Sequence, residues 1–496
     1  MQSSLVIGSG FGGIASALRL RSLGFEVHVI ERQDDLGGRA QVFEVDGYRH
    51  DAGPTVITAP FLFDELFELF GERRQDHIEF RELNPWYRFI FPDGDHFDYG
   101  GTIEDTLAEI HRIEPKDQQG YQSLITHSKE LFDIGFSRLA HQPFHEIKTM
   151  AKQIPHLAKL RSDRSVWDMV CKHLSNDKLR QAFSIQPLLV GGSPFDTTSI
   201  YGLIHYLERA YGIYFAMGGT GALVEQLKQL MLRQGITIQT GATVSQMLTC
   251  QSKVSGVRLE SGDVITADYT VFNGDPMHLY RELLPQKDIP FATKIKRDFS
   301  KLSMGLYVLF FGTDRQYPDV AHHTIWMGQR YKDLLDDIFH RQTLANDFSL
   351  YVHRPTATDP SFAPNGHDSF YVLAPVPHQG AGIDWTIEEP KLRARIIDAL
   401  DKTMLPNLKE HLRGPFSMTP ENFATDYLSY QGAGFSIAPL FTQSAWFRFH
   451  NKAEGFENLF LAGAGTHPGA GMPGVISSAK VVERLVKEAT AKTAFV

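Results

Sequence analysis

The first thirty residues combine two short apolar runs with a helix-like segment between them. Residues 4–7 and 25–30 are almost continuously apolar, which is typical of strands buried in a parallel sheet. This pattern predicts a strand–helix–strand unit. The apolar residues of the intervening helix recur at helical spacing: Ile14, Ala17, Leu18 and Leu20. Gly24 is the expected end of this helix.

Later segments predict further sheets and a long helical region. Residues 103–233 are mainly helix-like, whereas residues 254–276 have the pattern of a β-meander with its last strand over 264–272. The apolar residues 459–461 predict a strand that returns to the sheet begun at Ser4. Other predicted strands lie over residues 41–48, 89–99 (around a Pro-Asp-Gly turn), 306–311 and 369–375.

A glycine-rich turn joins the first strand to the helix. Gly8, Gly10 and Gly13 have the G-x-G-x-x-G spacing, which permits a tight turn, close approach of a pyrophosphate, and close packing of helix on strand. The helix N-terminus adds free amides, and Glu31, at the end of the second strand, can accept ribose hydroxyls. A turn that binds nothing is the alternative, but strand, helix and acid together favour a dinucleotide site.

Composition excludes several classes of protein. The 496 residues are 42% hydrophobic and 22% charged, as in a folded globular protein with more than one domain. The net charge of −9 argues against nucleic acid as the main partner. Cys171 and Cys250 are too few for a disulfide framework. We expect neither a signal peptide nor a membrane-spanning helix, which needs about 18 apolar residues.

One region departs from the acidic average. Residues 141–180 carry eight Lys or Arg against four Asp or Glu, a balance of +4. Four apolar residues there recur at helical spacing, with Pro155 as a probable break. A basic amphipathic helix can lie in a membrane interface, although an ordinary core-facing helix is the alternative. The four apolar residues are Ile147, Met150, Ile154 and Leu157.

Ordered motifs along nearly the whole chain resemble bacterial phytoene desaturases, which are carotenoid desaturases among the FAD-dependent amine-oxidase-like flavoproteins. Met472 stands where relatives commonly have isoleucine. The motifs are GSGFGG from Gly8, GGRA from Gly37, HDAGPTVIT from His50, LLVGGSPF from Leu188, AHHT from Ala321, YVLAPVPH from Tyr371, TQSAWFR from Thr442 and GAGTHPGAGMPGV from Gly463.

The resemblance implies an activity and its partners. It implies FAD-dependent desaturation of phytoene, a membrane-dissolved C40 hydrocarbon, by hydride transfer to flavin, giving lycopene or a related polyene. Quinone or oxygen is the implied electron acceptor, and the implied location is peripheral on the cytoplasmic side of the membrane. Such a substrate favours residues 141–180 as a membrane contact. A desaturase of a C30 or modified carotenoid, an amine oxidase, a non-catalytic flavin-binding scaffold, and a non-redox isoprenoid-binding protein of the same fold remain alternatives.

The same resemblance, with the glycine pattern, assigns the FAD site. Gly463 and Gly465 let the backbone pass close to the cofactor, and Pro473 suits the first position of a closing helix. The amides of Gly474 and Val475 are predicted to stay free and to face the flavin N1–C2=O edge, where reduced flavin carries negative charge. The predicted set is Gly8, Gly10, Phe11, Gly12, Gly13, Glu31, Arg32, Gly38, Arg39, Thr55, Val56, Val244, Gly463, Gly465, Pro473, Gly474 and Val475.

No catalytic residue and no metal site is predicted. Thr149 and Lys152 stand where relatives have an Asp and an Arg, so that acid–base pair is not carried over. His467 is predicted to be a structural, hydrogen-bonded histidine and not a general base. His322 and His323 are adjacent, and neighbouring residues of a strand face opposite sides, which argues against shared metal binding.

These patterns predict an α/β fold made of three parts. A discontinuous Rossmann-type FAD-binding domain is expected from residues 1–70, 235–276 and 426–496. An inserted mixed-sheet substrate domain is expected from residues 71–102, 205–234 and 277–425, with its sheet facing a cavity. Residues 103–204 are expected to form a helical, membrane-facing subdomain.

Overall fold

The structure, a computed structural model, describes residues 2–146, 148, 150, 152–153 and 160–493. Its strands are, in chain order, β1 (Ser3–Ile7), β2 (Glu26–Ile30), β3 (Val42–Val45), β4 (Tyr48–Asp51), β5 (Phe80–Glu82), β6 (Tyr87–Ile90), β7 (His96–Tyr99), β8 (Tyr214–Ala216), β9 (Thr237–Gln239), β10 (Val244–Cys250), β11 (Lys253–Leu259), β12 (Val264–Thr266), β13 (Tyr269–Phe272), β14 (Gly305–Thr313), β15 (His323–Trp326), β16 (Leu350–His353), β17 (Asp368–Val376), β18 (Leu412–Met418) and β19 (Leu459–Leu461).

Helices cover both sheets and form a separate layer in the first half of the chain. The α-helices are α1 (Phe11–Ser22), α2 (Phe61–Glu68), α3 (Ile103–Ile113), α4 (Asp117–Ile134), α5 (Val166–His173), α6 (Asp177–Ala182), α7 (Leu203–Tyr211), α8 (Gly219–Arg233), α9 (Pro276–His278), α10 (Phe291–Phe299), α11 (Tyr331–Asp336), α12 (Trp385–Lys402), α13 (Leu408–His411), α14 (Pro420–Asp426) and α15 (Met472–Thr493).

A five-stranded parallel sheet gathers the two ends and the middle of the chain. Its order is β19-β13-β1-β2-β9, with β1 between β13 and β2. The strands come from all three segments predicted for the dinucleotide-binding domain. The predicted return strand over residues 459–461 is confirmed as β19, which pairs with β13.

Three helices share one apolar core against this sheet. Leu18 of α1, Leu227 of α8 and Val482 of α15 are fully buried in the same cluster. The assignment of residues 205–234 to the substrate domain is therefore wrong for α8. Its leucines are spaced for one buried face, but sequence spacing does not show which sheet that face meets.

A seven-stranded mixed sheet forms the second domain. Its order is β18-β14-β17-β16-β15-β6-β7, and β15 runs parallel to β6 while its other pairs are antiparallel. Tyr307 and Leu309 on one face join the core that contains Trp385 of α12. On the other face, Leu306 and Leu373 line a cavity, so the prediction of a sheet facing a cavity is confirmed.

The predicted β-meander is only partly correct. β10, β11 and β12 form a three-stranded antiparallel sheet, but the predicted strand over 264–272 breaks near Asp268. There the Ser3 amide and hydroxyl donate to the Asp268 carboxylate at 2.8 and 3.0 Å. This anchors the chain beside β1, so β13 enters the parallel sheet and not the meander.

The first half of the chain contains the predicted helical region. Leu124 of α4, Val170 of α5 and Leu179 of α6 are buried together with aromatic residues of β6 and β7. Of the proposed amphipathic segment, Ile147, Ile154, Pro155 and Leu157 lie outside the described residues. Within the described residues, no helix combines the length and apolar character needed to cross a membrane.

We predict that Gly13→Ala prevents assembly of the dinucleotide-binding unit. A Cβ at Gly13 would stand 2.0 Å from the Gly8 carbonyl oxygen, so strand and helix must separate. Overpacking of this kind costs about 1–3 kcal/mol. We expect a lower melting temperature, measured by calorimetry. Ser22→Ala, at the other end of α1, is the control, and a Gly13→Ala variant with an unchanged melting temperature would contradict this account.

Candidate functional site

A cavity of about 610 Å³ lies between the parallel sheet, the mixed sheet and the helical layer. Sixteen of the seventeen predicted cofactor residues line it, from Gly8 and Glu31 to Val244 and Val475. The exception, Gly13, does not line the cavity and serves only the packing of α1 on β1. Residues more than 450 positions apart in the chain therefore share one site.

The first glycine loop presents backbone to this cavity. Gly8 has a φ of +91°, which favours glycine, and Gly10 precedes the first turn of α1 without any side-chain cap. The first-turn amides of a helix have no partner inside the helix. A Cβ at Gly12 would stand 3.3 Å from the Gly463 amide nitrogen, so the two glycine loops approach closely here. The arrangement fits an anionic pyrophosphate.

Asn273 connects the glycine loops, and the sequence interpretation missed it. It follows β13, and its Nδ2 donates to the Ala462 carbonyl at 3.0 Å. Its Oδ1 lies 3.1 Å from the position that a Cβ of Gly10 would occupy. The available signal was its position directly after an apolar strand, because carboxyl ends of parallel strands border ligand sites.

Glu31 lies at the end of β2, as predicted, and is buried beside the first loop. Its Oε2 accepts hydrogen bonds from the Ser9 amide and hydroxyl at 2.7 and 2.5 Å. Its Oε1 accepts from the Gln33 amide at 2.9 Å. The carboxylate thus orders the loop as well as lining the cavity.

The two predicted arginines hold different parts of the chain. Arg32 Nη1 donates to the carbonyls of Thr425 and Asp426 at 2.7 and 2.6 Å, so this side chain anchors the end of α14. Arg39 Nη2 donates to Ser429 Oγ at 2.9 Å. Burial lowers the pKa of the Arg39 guanidinium, and the Asp275 carboxylate opposes that shift. Arg39 is therefore a cavity-lining cation available to an anionic ligand.

The C-terminal glycine loop closes the opposite side of the cavity. Gly463 has a φ of +113°, and its amide donates to Ser478 Oγ at 2.9 Å. A Cβ at Gly465 would stand 2.4 Å from Pro276, so any larger residue would displace the loop. Buried Arg448 holds the loop from behind, because its Nη2 donates to the Ala464 carbonyl at 2.6 Å.

The prediction for the following helix needs two corrections. α15 begins at Met472, so Pro473 is its second residue and not its first. The Val475 amide is not free, because it donates to the Gly471 carbonyl at 2.9 Å. The helix starts one residue earlier than predicted, which brings Val475 within reach of its i−4 carbonyl. Gly474 stays in the first turn, at the cavity.

His467 is a buried structural histidine, as the sequence favoured. Its Nε2 lies 3.0 Å from the Leu139 carbonyl oxygen and can donate to it, and its ring packs edge-on against Phe144. Burial lowers its pKa to about 4, so the ring is neutral at pH 7. Thr149 lies outside the described residues, and Lys152 is exposed.

The argument that separated His322 from His323 is wrong. β15 begins at His323, so His322 lies in the preceding bend, where strand alternation does not apply. His323 also stands directly opposite His353 across the β15–β16 ladder. Candidate ligand atoms of the three rings lie within 4.8 Å of one another. The sequence carried no signal for His353, because the pairing of β15 with β16 is a tertiary contact.

The rest of the cavity is mostly apolar and contains one unusual carboxyl group. Glu208 of α7 is fully buried, and the Tyr87 hydroxyl donates to its Oε1 at 3.4 Å. Glu208 Oε2 has no hydrogen-bond partner in the described part of the chain. Burial raises the pKa of Glu208 to about 8, so the group is mainly neutral at pH 7. It is also absent from the predicted site.

Comparison with known proteins identifies the family. Residues 11–482 match the model of flavin containing amine oxidoreductases. The chain is 44% identical over 489 residues to the lycopene-forming phytoene desaturase of Pantoea ananas, covering 98% of this chain and 99% of that protein. The chain is a bacterial carotenoid desaturase. The corresponding enzyme of Pseudescherichia vulneris is 43% identical over the same shares of each chain.

Solved structures agree on the fold of the desaturase. An oxidoreductase from Methanosarcina mazei superposes with a TM-score of 0.67 at 15% identity, covering 97% of this chain and all of the other. Cyclohexylamine oxidase from Brevibacterium oxydans gives 0.64 at 15% identity, over 98% and 99% of the chains. At this identity the likeness establishes the amine-oxidase fold alone.

We predict that Glu208→Gln removes a pH dependence of stability. The pKa of Glu208 is about 8 in the folded protein, above its ordinary value of 4.5, so the folded state binds the proton more tightly than the unfolded state. The resulting contribution to the free energy of unfolding is complete below pH 4.5 and is lost as pH rises through 8. The total effect is on the order of 5 kcal/mol. Melting temperatures from pH 5 to 9 should fall more steeply for the unaltered protein than for the variant. Parallel curves would contradict a buried neutral carboxyl group.

Proposed function

We propose that this desaturase converts phytoene to lycopene or a related polyene with FAD as its cofactor. The observation that supports this proposal is a single cavity that combines the glycine-rich loops with an apolar wall. Similarity over nearly full length to lycopene-forming enzymes supports this substrate and product. A hydrocarbon offers no charge to bind, so an apolar cavity is the site it requires.

FAD fits the residues present. The first-turn amides of α1 after Gly10 would hold the pyrophosphate, and the Glu31 carboxylate would accept ribose hydroxyls. Arg39 would oppose the phosphate charge, while Gly463 and Gly474 leave backbone accessible to the ring end. Bound flavin supplies hydride acceptance, the redox chemistry that protein side chains lack.

The chain's own residues position the hydrocarbon and exclude water. Leu306, Tyr371 and Leu373 of the mixed sheet line the cavity, as do Ile185 and Leu188 of the helical layer. Loss of a hydride and a proton from adjacent carbons requires a place for the proton. Glu208 lies in this apolar surface with one unpartnered oxygen, and we assign its minor carboxylate form as the base that takes this proton and becomes the neutral acid that burial favours.

The decisive experiment supplies phytoene in liposomes to the flavin-loaded protein. We expect visible absorbance from conjugated products, with quinone or oxygen tested separately as the electron acceptor. Flavin released by denaturation should chromatograph as FAD and not as FMN. A parallel assay with a C30 substrate tests the main alternative. Controls without phytoene should give no conjugated product. Faster turnover of the C30 substrate would overturn the assignment.

We further propose a peripheral membrane contact that includes α10. Phe291 and Phe299 are 78% and 81% exposed, and Ile295 between them is 44% exposed, so one stripe of the helix is apolar and uncovered. Residues 287–301 carry five basic and two acidic residues, a balance of +3 on a chain of −9. Apolar insertion with basic flanks fits an anionic lipid surface.

This stripe adjoins the cavity entrance. The Lys301 amide donates to Gln443 Oε1 at 2.7 Å, which joins the end of α10 to the loop at 441–447. In that loop, Phe441 and Phe447 are exposed, and Phe441 also lines the cavity. A hydrocarbon entering from the bilayer would therefore meet the cavity beside α10. This location supplements the basic segment at residues 141–180.

We predict that Phe291→Asn with Phe299→Asn weakens binding to anionic vesicles by at least about tenfold. Each inserted phenylalanine contributes about 1.5–3 kcal/mol. Co-sedimentation is the measurement, and Ile387→Asn, 53% exposed on α12, is the control. If binding instead falls only with Lys148→Glu and Lys152→Glu, the contact lies in the basic segment. Desaturation of detergent-dispersed phytoene separates this result from failure of the enzyme assignment.

A further inference from the structure

A cluster of three histidines lies behind the cavity wall, outside the residues that the proposed reaction uses. His322, His323 and His353 are all buried, and candidate ligand nitrogens from the three rings lie within 4.8 Å of one another. The ring centroids are 4.6 Å apart for His322–His323, 4.8 Å for His322–His353 and 5.3 Å for His323–His353. β15, β16 and the preceding bend thus bring three imidazoles to one point.

The cluster contains buried nitrogen atoms without partners. Nε2 of His322, Nε2 of His323 and both ring nitrogens of His353 make no hydrogen bond with the described residues. Each unsatisfied buried polar group costs about 1–3 kcal/mol. Several such atoms facing one another indicate a site that binds a further species.

We propose that His322, His323 and His353 form a binding site for one divalent transition metal ion, with zinc as the preferred ion. Neutral imidazole nitrogens are common zinc ligands, and three protein ligands with a water complete the usual four-coordinate set. Carboxylates are absent from the described cluster, which disfavours magnesium and calcium. This site is distinct from the flavin site and does not depend on the identity of the substrate.

Hydroxyl groups fix the orientation of two of the rings. His322 Nδ1 lies 2.7 Å from Thr358 Oγ1, and His323 Nδ1 lies 2.7 Å from the Tyr351 hydroxyl. When each Nδ1–H donates to its hydroxyl oxygen, each Nε2 presents a lone pair. Metal-bound histidines usually donate from the second nitrogen in this way.

The surroundings are compatible with a cation. The nearby Arg354 is already paired, with its Nη1 3.2 Å from Asp368 Oδ2. The Asp368 carboxylate therefore offsets part of the positive charge that Arg354 places near His322.

The site connects to the cavity through two hydroxyl groups. The Tyr351 hydroxyl, which contacts His323, also lies 2.6 Å from Thr55 Oγ1. Both Tyr351 and Thr55 line the cavity. A bound metal would fix β15 against β16 and, through this chain, hold the cavity wall in place. None of the three histidines lines the cavity, so we assign the ion no part in the reaction there.

Metal analysis of the purified, tag-free flavoprotein tests this proposal. We expect about one equivalent of zinc per chain, a melting temperature that falls on chelation, and its recovery with zinc but not magnesium. Added cobalt should give the visible bands of a tetrahedral site. His353→Gln should abolish these signals, and Tyr351→Phe should weaken zinc binding about 10–100-fold.

The matched control is His96→Gln, which changes an exposed histidine outside the cluster. It should leave zinc content and the cobalt spectrum unchanged. If the unaltered flavoprotein binds neither zinc nor cobalt above the level of His353→Gln, the proposal is overturned, and the nitrogens instead share water. If His353→Gln does not fold, titration of the unaltered protein with cobalt after chelation decides between these outcomes.

Discussion

The close approach of backbone segments at one edge of the parallel sheet is the constraint on which the structure depends. Gly8, Gly13 and Gly463 meet around the Asn273 side chain, at distances that a Cβ would violate at Gly13 and Gly463. Because β1, β13 and β19 are adjacent, segments from both ends of the chain reach this point together. The cavity exists only when all three are in place.

This constraint explains why polar side chains are divided between two tasks. Glu31 makes hydrogen bonds to Ser9, and Arg32 makes hydrogen bonds to the end of α14, so both order the loops that surround the cavity. Arg448 likewise supports the C-terminal glycine loop from outside the cavity. The site is therefore built largely from backbone, and side chains mainly hold that backbone in position.

The mixed sheet serves a different physical need. One face packs on α12 and the other borders the cavity, so alternate residues of β14 and β17 belong to different environments. An apolar surface of this kind can orient a hydrocarbon without specific hydrogen bonds. The buried carboxyl group of Glu208 interrupts this apolar surface, whereas the histidine cluster lies behind it.

The sequence alone determined the strand–helix–strand unit and the return of β19, because local periodicity and glycine spacing encode them, and the family resemblance selected a set of cofactor residues of which all but Gly13 line the cavity. Three features depended on tertiary structure: the packing of α8 on the parallel sheet, the entry of β13 into that sheet, and the meeting of His323 with His353. Each is a contact between residues distant in the chain, and spacing along a sequence does not specify which buried faces meet.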